Sequence, residues 1–151
     1  MKRAFIVIFI LLITFYSGNL VAQHRGFGLG IILGEPTGIN FKNWVGSRTA
    51  IDGGIAWSFS KNDSLHLHLD YLIHNFNILK AKNSNLALYY GIGGRVKAEE
   101  ESRFGVRIPV GINYIFRDAP LDIFFELAPV LDLMPSTEFE LTGGVGIRYY
   151  F

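Results

Sequence analysis

Phe139-Glu-Leu-Thr-Gly-Gly-Val-Gly-Ile-Arg-Tyr-Tyr-Phe151 is the stretch on which the fold turns. Phe139, Leu141, Gly143, Val145, Ile147, Tyr149 and Phe151 alternate with Glu140, Thr142, Gly144, Gly146, Arg148 and Tyr150. Side chains on a strand point to opposite faces in turn, so this is a strand with one apolar and one mixed face. Chain ends are usually polar and frayed. An apolar strand closing on an aromatic residue is instead suited to pairing with the rest of a sheet.

The same period of two recurs back along the chain. It predicts strands carrying Phe27 to Leu33, Thr37 to Val45, Ile51 to Phe59, Leu65 to Ile73, Leu86 to Val96, Phe104 to Phe116 and Leu121 to Leu133. With the closing strand these make eight. Turn residues separate them: Gly34-Glu35-Pro36, Gly46-Ser47-Arg48, Ser60 to Ser64, Lys97 to Arg103, Arg117 to Pro120 and Met134 to Glu138. Asn75 to Asn85 is the longest connection. Tight hairpins pairing Leu33 with Thr37, Phe116 with Leu121 and Leu133 with Phe139 keep every apolar set on one face. A slip of one residue would reverse a strand. The reading is therefore all-β, an antiparallel up-and-down barrel of eight strands.

The apolar face carries more large side chains than the interior of so small a barrel can hold. The other face is rich in glycine and paired charges. The apolar face is thus expected outside, against lipid, and the mixed face inside, as a transmembrane barrel requires. A soluble barrel of the lipocalin type would need the reverse. The expected lumenal network is Lys42, Asp52, His66, His68, Asp70, Arg95, Arg107, Glu126, Glu140 and Arg148. Buried charges persist when they are paired. Glycines such as Gly28, Gly30, Gly91 and Gly93 are expected to make room for arginine and aromatic side chains crossing the lumen. They lack the strand-to-helix context and Lys-Ser/Thr pair of a phosphate loop.

Lys2 and Arg3 followed by apolar Ala4 to Tyr16, then Ser17 to Ala22, have the layout of a secretory signal peptide. Residues 1–22 are expected to be the signal and 23–151 the barrel. The chain has no cysteine, which excludes a lipid-anchored cysteine and any disulfide framework. Its formal net charge is +1 with no basic run, so nucleic acid is not an expected partner. With an even strand number both ends lie on one side, which secretion makes the periplasm. Phe27, Tyr114, Phe116, Tyr149 and Phe151 then fall near one interface, and Trp57, Phe59, Phe104 and Phe139 near the other.

Leu88-Tyr89-Tyr90-Gly91-Ile92-Gly93-Gly94-Arg95 and Ile108-Pro109-Val110-Gly111-Ile112-Asn113-Tyr114, with the strand pattern around them, resemble small outer-membrane barrels of the OmpA/OmpX-like superfamily. Within it the likeness is to a family of bacterial barrels without an assigned activity. The ending Val145, Ile147, Tyr149, Phe151 resembles the signal read by the barrel-assembly machinery. The resemblance implies a Gram-negative-type outer membrane as location. It implies outer-membrane lipid and lipopolysaccharide, the assembly machinery and periplasmic chaperones as partners.

Ser64, His66, His68 and Asp70 form a polar ladder on the fourth predicted strand, with His74 beyond Leu72. Residues two apart stand about 6–7 Å from each other. His66, His68 and Asp70 are weak metal-ligand candidates. As a Ser-His-Asp nucleophile system the spacing is poor, because nucleophile and base must meet at about 3 Å. An interior network with Arg95, Arg107 or Lys42 is the favoured reading. Pro109 and Pro129 fall inside strands, facing Ala128 and Ile108, and neither can donate to a ladder. Each is expected to weaken a different seam. The expected function is a structural, non-enzymatic barrel with a plugged polar lumen and no cofactor. The alternatives are a lipid A-modifying enzyme, either acyl hydrolase or acyltransferase, and a narrow solute or ion pore.

Overall fold

The computed structural model of the chain describes residues 26–59, 63–79 and 85–151. The expected signal peptide, residues 1–22, lies outside the described residues. The strands are β1 (Phe27–Glu35), β2 (Thr37–Trp44), β3 (Thr49–Ser58), β4 (Ser64–Asn75), β5 (Leu86–Ala98), β6 (Arg103–Arg107), β7 (Val110–Ile115), β8 (Leu121–Met134) and β9 (Glu138–Tyr150). All pairings are antiparallel and join neighbours in sequence, except that β6 and β7 each pair with β5 and β8 and not with each other, and that β1 pairs with β9. β6 and β7 lie end to end and act as one stave, so nine strands make eight staves. The first and last close the ring, with Leu29 opposite Tyr149 and Ile31 opposite Ile147. Beyond the ladder, the Phe151 amide donates to the Phe27 carbonyl at 3.0 Å. Among the described residues, closure leaves no free sheet edge.

The predicted sixth strand is interrupted at Ile108-Pro109, and the hydrogen bonds give the reason. Gly91 donates to the Pro109 carbonyl at 2.9 Å, and Ile108 donates to the Pro129 carbonyl at 3.0 Å. In an antiparallel sheet each such pair would exchange two bonds. The return donor is proline in both cases. Pro109 therefore weakens the seam with β5 and Pro129 the seam with β8, at one height on both edges of the same stave.

One hairpin register differs from expectation. Leu131, not Leu133, stands opposite Phe139. The β6–β8 ladder shifts between Phe104 and Gly105, whose partners Met134 and Asp132 skip Leu133. The β8–β9 ladder itself keeps one register from Leu121 opposite Tyr149 to Asp132 opposite Glu138. The hairpin register differs by two residues, so the faces of β8 and β9 along their ladder are as expected, while the β6–β8 bulge turns Met134 outward beside Leu133.

Burial follows the alternation in reverse of a soluble protein. Ile31, Ile55, Leu69, Ile92, Ile123, Leu127 and Ile147 are exposed, while Lys42, Asp52, Asp70, Arg95, Arg107, Asp122 and Arg148 are buried. The inward glycines admit large neighbours. A Cβ on Gly28 would come within 2.7 Å of the Tyr150 ring, on Gly30 within 2.6 Å of Arg148 Cγ, and on Gly146 within 2.2 Å of the Phe124 ring. Gly146→Val is therefore expected to cost about 1–3 kcal/mol through overpacking. Gly94 faces outward with no side chain near, so Gly94→Ala should stay within about 0.5 kcal/mol. Urea unfolding in detergent micelles checks the pair.

At the end of the barrel that holds both ends of the ring, Tyr114 and Phe116 meet edge to face at 5.0 Å, and Tyr149 and Phe151 at 5.1 Å. Phe27 stacks with Phe41 there. Trp57, Phe59, Phe104 and Phe139 are exposed toward the opposite, hairpin end. Among the described residues no helix is long and apolar enough to cross a membrane.

Candidate functional site in the barrel lumen

Three levels of polar side chains fill the interior. Nearest the terminal end, the ammonium of Lys42 is fully buried. It lies 2.6 Å from His74 Nε2 and donates to Asn113 Oδ1 at 3.1 Å. The rings of Trp44 and Tyr89 lie 4.5 and 5.4 Å from it. Aromatic faces and neutral acceptors take the place of a carboxylate partner. Trp44 packs on His74 at 4.4 Å and closes this level.

Above it, Arg148 reaches across from β9. Its Nε donates to Asp122 Oδ1 at 3.0 Å, and Nη1 donates to Asp52 Oδ2 at 2.5 Å and Asn40 Oδ1 at 3.0 Å. Its guanidinium carbon sits 3.9 Å from the centre of the Phe124 ring. Tyr150 donates to the other oxygen of Asp122 at 2.6 Å, and Asn40 donates to Asp52 Oδ1 at 3.0 Å. On the far wall Arg107 donates to Glu126 and places Nε 2.9 Å from Asp70 Oδ2. Tyr89 donates to Glu126 Oε2 at 2.8 Å.

At the hairpin end Arg95 grips Asp132 with both contacts at 2.7 Å and meets Glu140 at 3.0 Å. Lys97 lies 3.4 Å from the same Glu140 oxygen. Arg103 joins Glu99 and Glu138 at the rim. Fixed planar forks suit such multiple contacts, which a lysine would meet as a point charge.

All ten expected network residues line the interior, but they divide into groups. Arg148 joins Asp52. Arg107 joins Asp70 and Glu126. Arg95 joins Glu140. Lys42 joins none of them and uses His74 and Asn113 instead. The ladder on β4 also divides. His68 Nε2 lies 3.7 Å from Asp52 Oδ1 and 3.9 Å from Asp70 Oδ2, so these three cluster. His66 turns away to Ser64.

That last contact corrects the expected Ser-His spacing. Ser64 Oγ lies 3.1 Å from His66 Nε2, within hydrogen-bond reach. The strand spacing separates their backbones, and the length of the imidazole closes the gap. Asp70 is occupied by Arg107 rather than orienting His66, and both Ser64 and His66 are buried inside the wall.

Asn40 and Asp122 belong to the face read as lumenal, whereas sequence reasoning passed over His74, Tyr89, Asn113, Phe124, Asp132 and Tyr150 as members of the network. Each shares parity with a recognised inward residue on its strand: Tyr89 with Arg95, Phe124 with Glu126, Tyr150 with Arg148. Parity alone identifies them.

The arrangement defines a class: a closed antiparallel barrel turned apolar side out, with an ion-paired interior. The chain belongs to the family described as "Protein of unknown function (DUF3996)", which it matches over residues 21–151. No curated protein matches it in sequence. Its fold is similar to the crystal structure of the N-terminal β-barrel domain of Pseudomonas aeruginosa OprF. The TM-score is 0.67, with 13% identity over 84% of this chain and 98% of that one. At this identity the likeness concerns the fold alone.

Proposed function

We propose that the protein is an integral outer-membrane β-barrel, structural and non-enzymatic, whose lumen is closed by its own side chains. The observation that carries this is the reversed burial. Leu33, Ile92 and Val145 are more than half exposed, while Lys42, Asp122 and Arg148 are at most 1% exposed. In water such a surface would aggregate. In lipid it is the stable arrangement, since the strands satisfy one another's backbone groups around a closed ring. Anchoring comes from the outward band, with the aromatic residues at its two ends meeting the headgroups.

The partners follow from that location: outer-membrane lipid and lipopolysaccharide, and the assembly machinery and chaperones that deliver a barrel there. Val145, Ile147, Tyr149 and Phe151 serve as the assembly signal. Arg148 crossing to Asp52 and Asp122 argues against a pore. The inward direction of Ser64 and His66 argues against an enzyme working on membrane lipid.

The test is expression of the full chain in a Gram-negative host. The protein should fractionate with the outer membrane and, after folding in detergent, migrate faster on a gel before boiling than after. A water-soluble monomer without a heat-dependent shift contradicts the proposal. In planar bilayers the folded protein should give no steady conductance, and lipid A from expressing cells should keep its mass profile. A defined single-channel step or an altered acyl pattern would instead favour pore or enzyme.

A further inference from the structure

We propose that Asp52, His68 and Asp70 bind one divalent transition cation of the zinc type inside the barrel. Asp52 comes from β3, His68 and Asp70 from β4, so a bound ion would tie two neighbouring staves together from within.

The spacing is the first support. One donor atom from each residue lies within 4.8 Å of the other two. The contacts of His68 Nε2 with Asp52 and Asp70 are 3.7 and 3.9 Å. Ligands about 2.0–2.2 Å from a tetrahedral zinc ion stand about 3.3–3.6 Å apart. The imidazole stands beyond hydrogen-bond distance of both carboxylates, and the set must contract, with Asp52 Oδ1 also accepting from Asn40, to share an ion.

Unmet bonding is the second. His68 Nε2 and both Asp70 oxygens have no hydrogen-bond partner, though the two side chains are 8% and 0% exposed. The 2.9 Å approach of Arg107 Nε to Asp70 is an ion pair without hydrogen-bond alignment. Asp70 therefore already has a charge partner, and the buried atom that calls for one is His68 Nε2.

Charge is the third. Lys42, Arg107 and Arg148 share the lower and middle levels with Asp52, Asp70, Asp122 and Glu126, all buried. Three cations face four carboxylates, and Arg95 is held by Asp132 and Glu140. The excess is negative, which attracts a cation in a region of low dielectric. One imidazole with two carboxylates is a mixed nitrogen–oxygen set, better matched to zinc than to magnesium or calcium. A small cavity lined by His68, His66, Arg95, Glu126 and Glu35 leads from the site toward the β1–β2 hairpin. His66 is not a ligand, because its Nε2 is turned to Ser64.

The test uses the full chain folded in detergent micelles, with Zn2+ as the sole added metal and a chromophoric chelator as competitor. The unaltered protein should take up one Zn2+. His68→Gln should weaken binding at least tenfold, and His66→Gln should leave it unchanged. No uptake at micromolar Zn2+, equal binding by His68→Gln, or an equal loss in His66→Gln would each overturn the proposal. If His68→Gln does not fold, nuclear magnetic resonance of the unaltered protein decides. Zn2+ should shift the ring signals of His68 and leave those of His66 in place. Shifts confined to other histidines refute the site.

Discussion

Replacing Arg148 with leucine is expected to destabilise the barrel by about 3–5 kcal/mol, the range for removing one partner of a buried charge pair. The side chain is 1% exposed and serves Asp52, Asp122 and Asn40 while stacking on Phe124. Its loss strands two carboxylates in the interior. Most of the cost is that uncompensated charge rather than the worth of the bonds themselves. Two controls follow. Arg148→Leu combined with Asp52→Asn and Asp122→Asn should recover part of the loss, because the stranded charges are gone. Arg148→Lys should fall between, since an ammonium cannot meet three acceptors in one plane. Urea unfolding in micelles gives the values. A cost below about 1 kcal/mol for Arg148→Leu would mean that this network does not hold the barrel together.

Leu127→Arg is expected to cost about 2–4 kcal/mol in lipid vesicles, the depth-dependent range for a cation at the bilayer midplane. Leu127 lies near the middle of β8 and points outward. Ile108→Arg, at similar height on the neighbouring stave, should behave alike. Phe139→Arg, at the hairpin rim, should cost about 0–1 kcal/mol, because arginine there reaches the interface. The gradient between middle and rim is the diagnostic quantity. Equal small costs at all three would show a surface in water.

Stave number, order and face could all be read from the alternation because each side chain on a strand has two possible directions. Once Arg107, Glu126 and Arg148 point inward, parity carries their strands with them. The features that escaped are hidden from residue type or depend on contacts that parity does not give. Aromatic residues belong on both faces of this barrel, so Tyr89, Phe124 and Tyr150 were not separable from the lipid-facing set by residue type. Their space comes from glycines on adjacent strands, such as Gly111, Gly146 and Gly28. Choice of partner was equally hidden. Asp70 and Asp52 both sit inward beside His68, yet Arg107 takes one and Arg148 the other. That outcome is set by the stagger of strands around the ring, which a one-dimensional pattern does not contain. The break at Ile108-Pro109 was visible as proline chemistry, and the bulge at Leu133 left no local mark. The last hairpin pairs two residues away from expectation, which keeps its faces and so leaves no trace in the alternation.

The central claim is that the apolar side of every stave meets lipid and the charged side meets its own lumen. The chain has no cysteine, so single spin-labelled cysteines can be placed along β8. In lipid vesicles, labels at Ile123, Phe125, Leu127 and Leu131 should be open to dissolved oxygen and closed to a water-soluble nickel complex. Labels at Asp122, Phe124 and Glu126, where they permit folding, should be closed to oxygen. Oxygen accessibility should rise and fall with a period of two residues. Uniform access of the nickel complex to Ile123, Phe125 and Leu127, or the opposite phase of the alternation, would contradict the account.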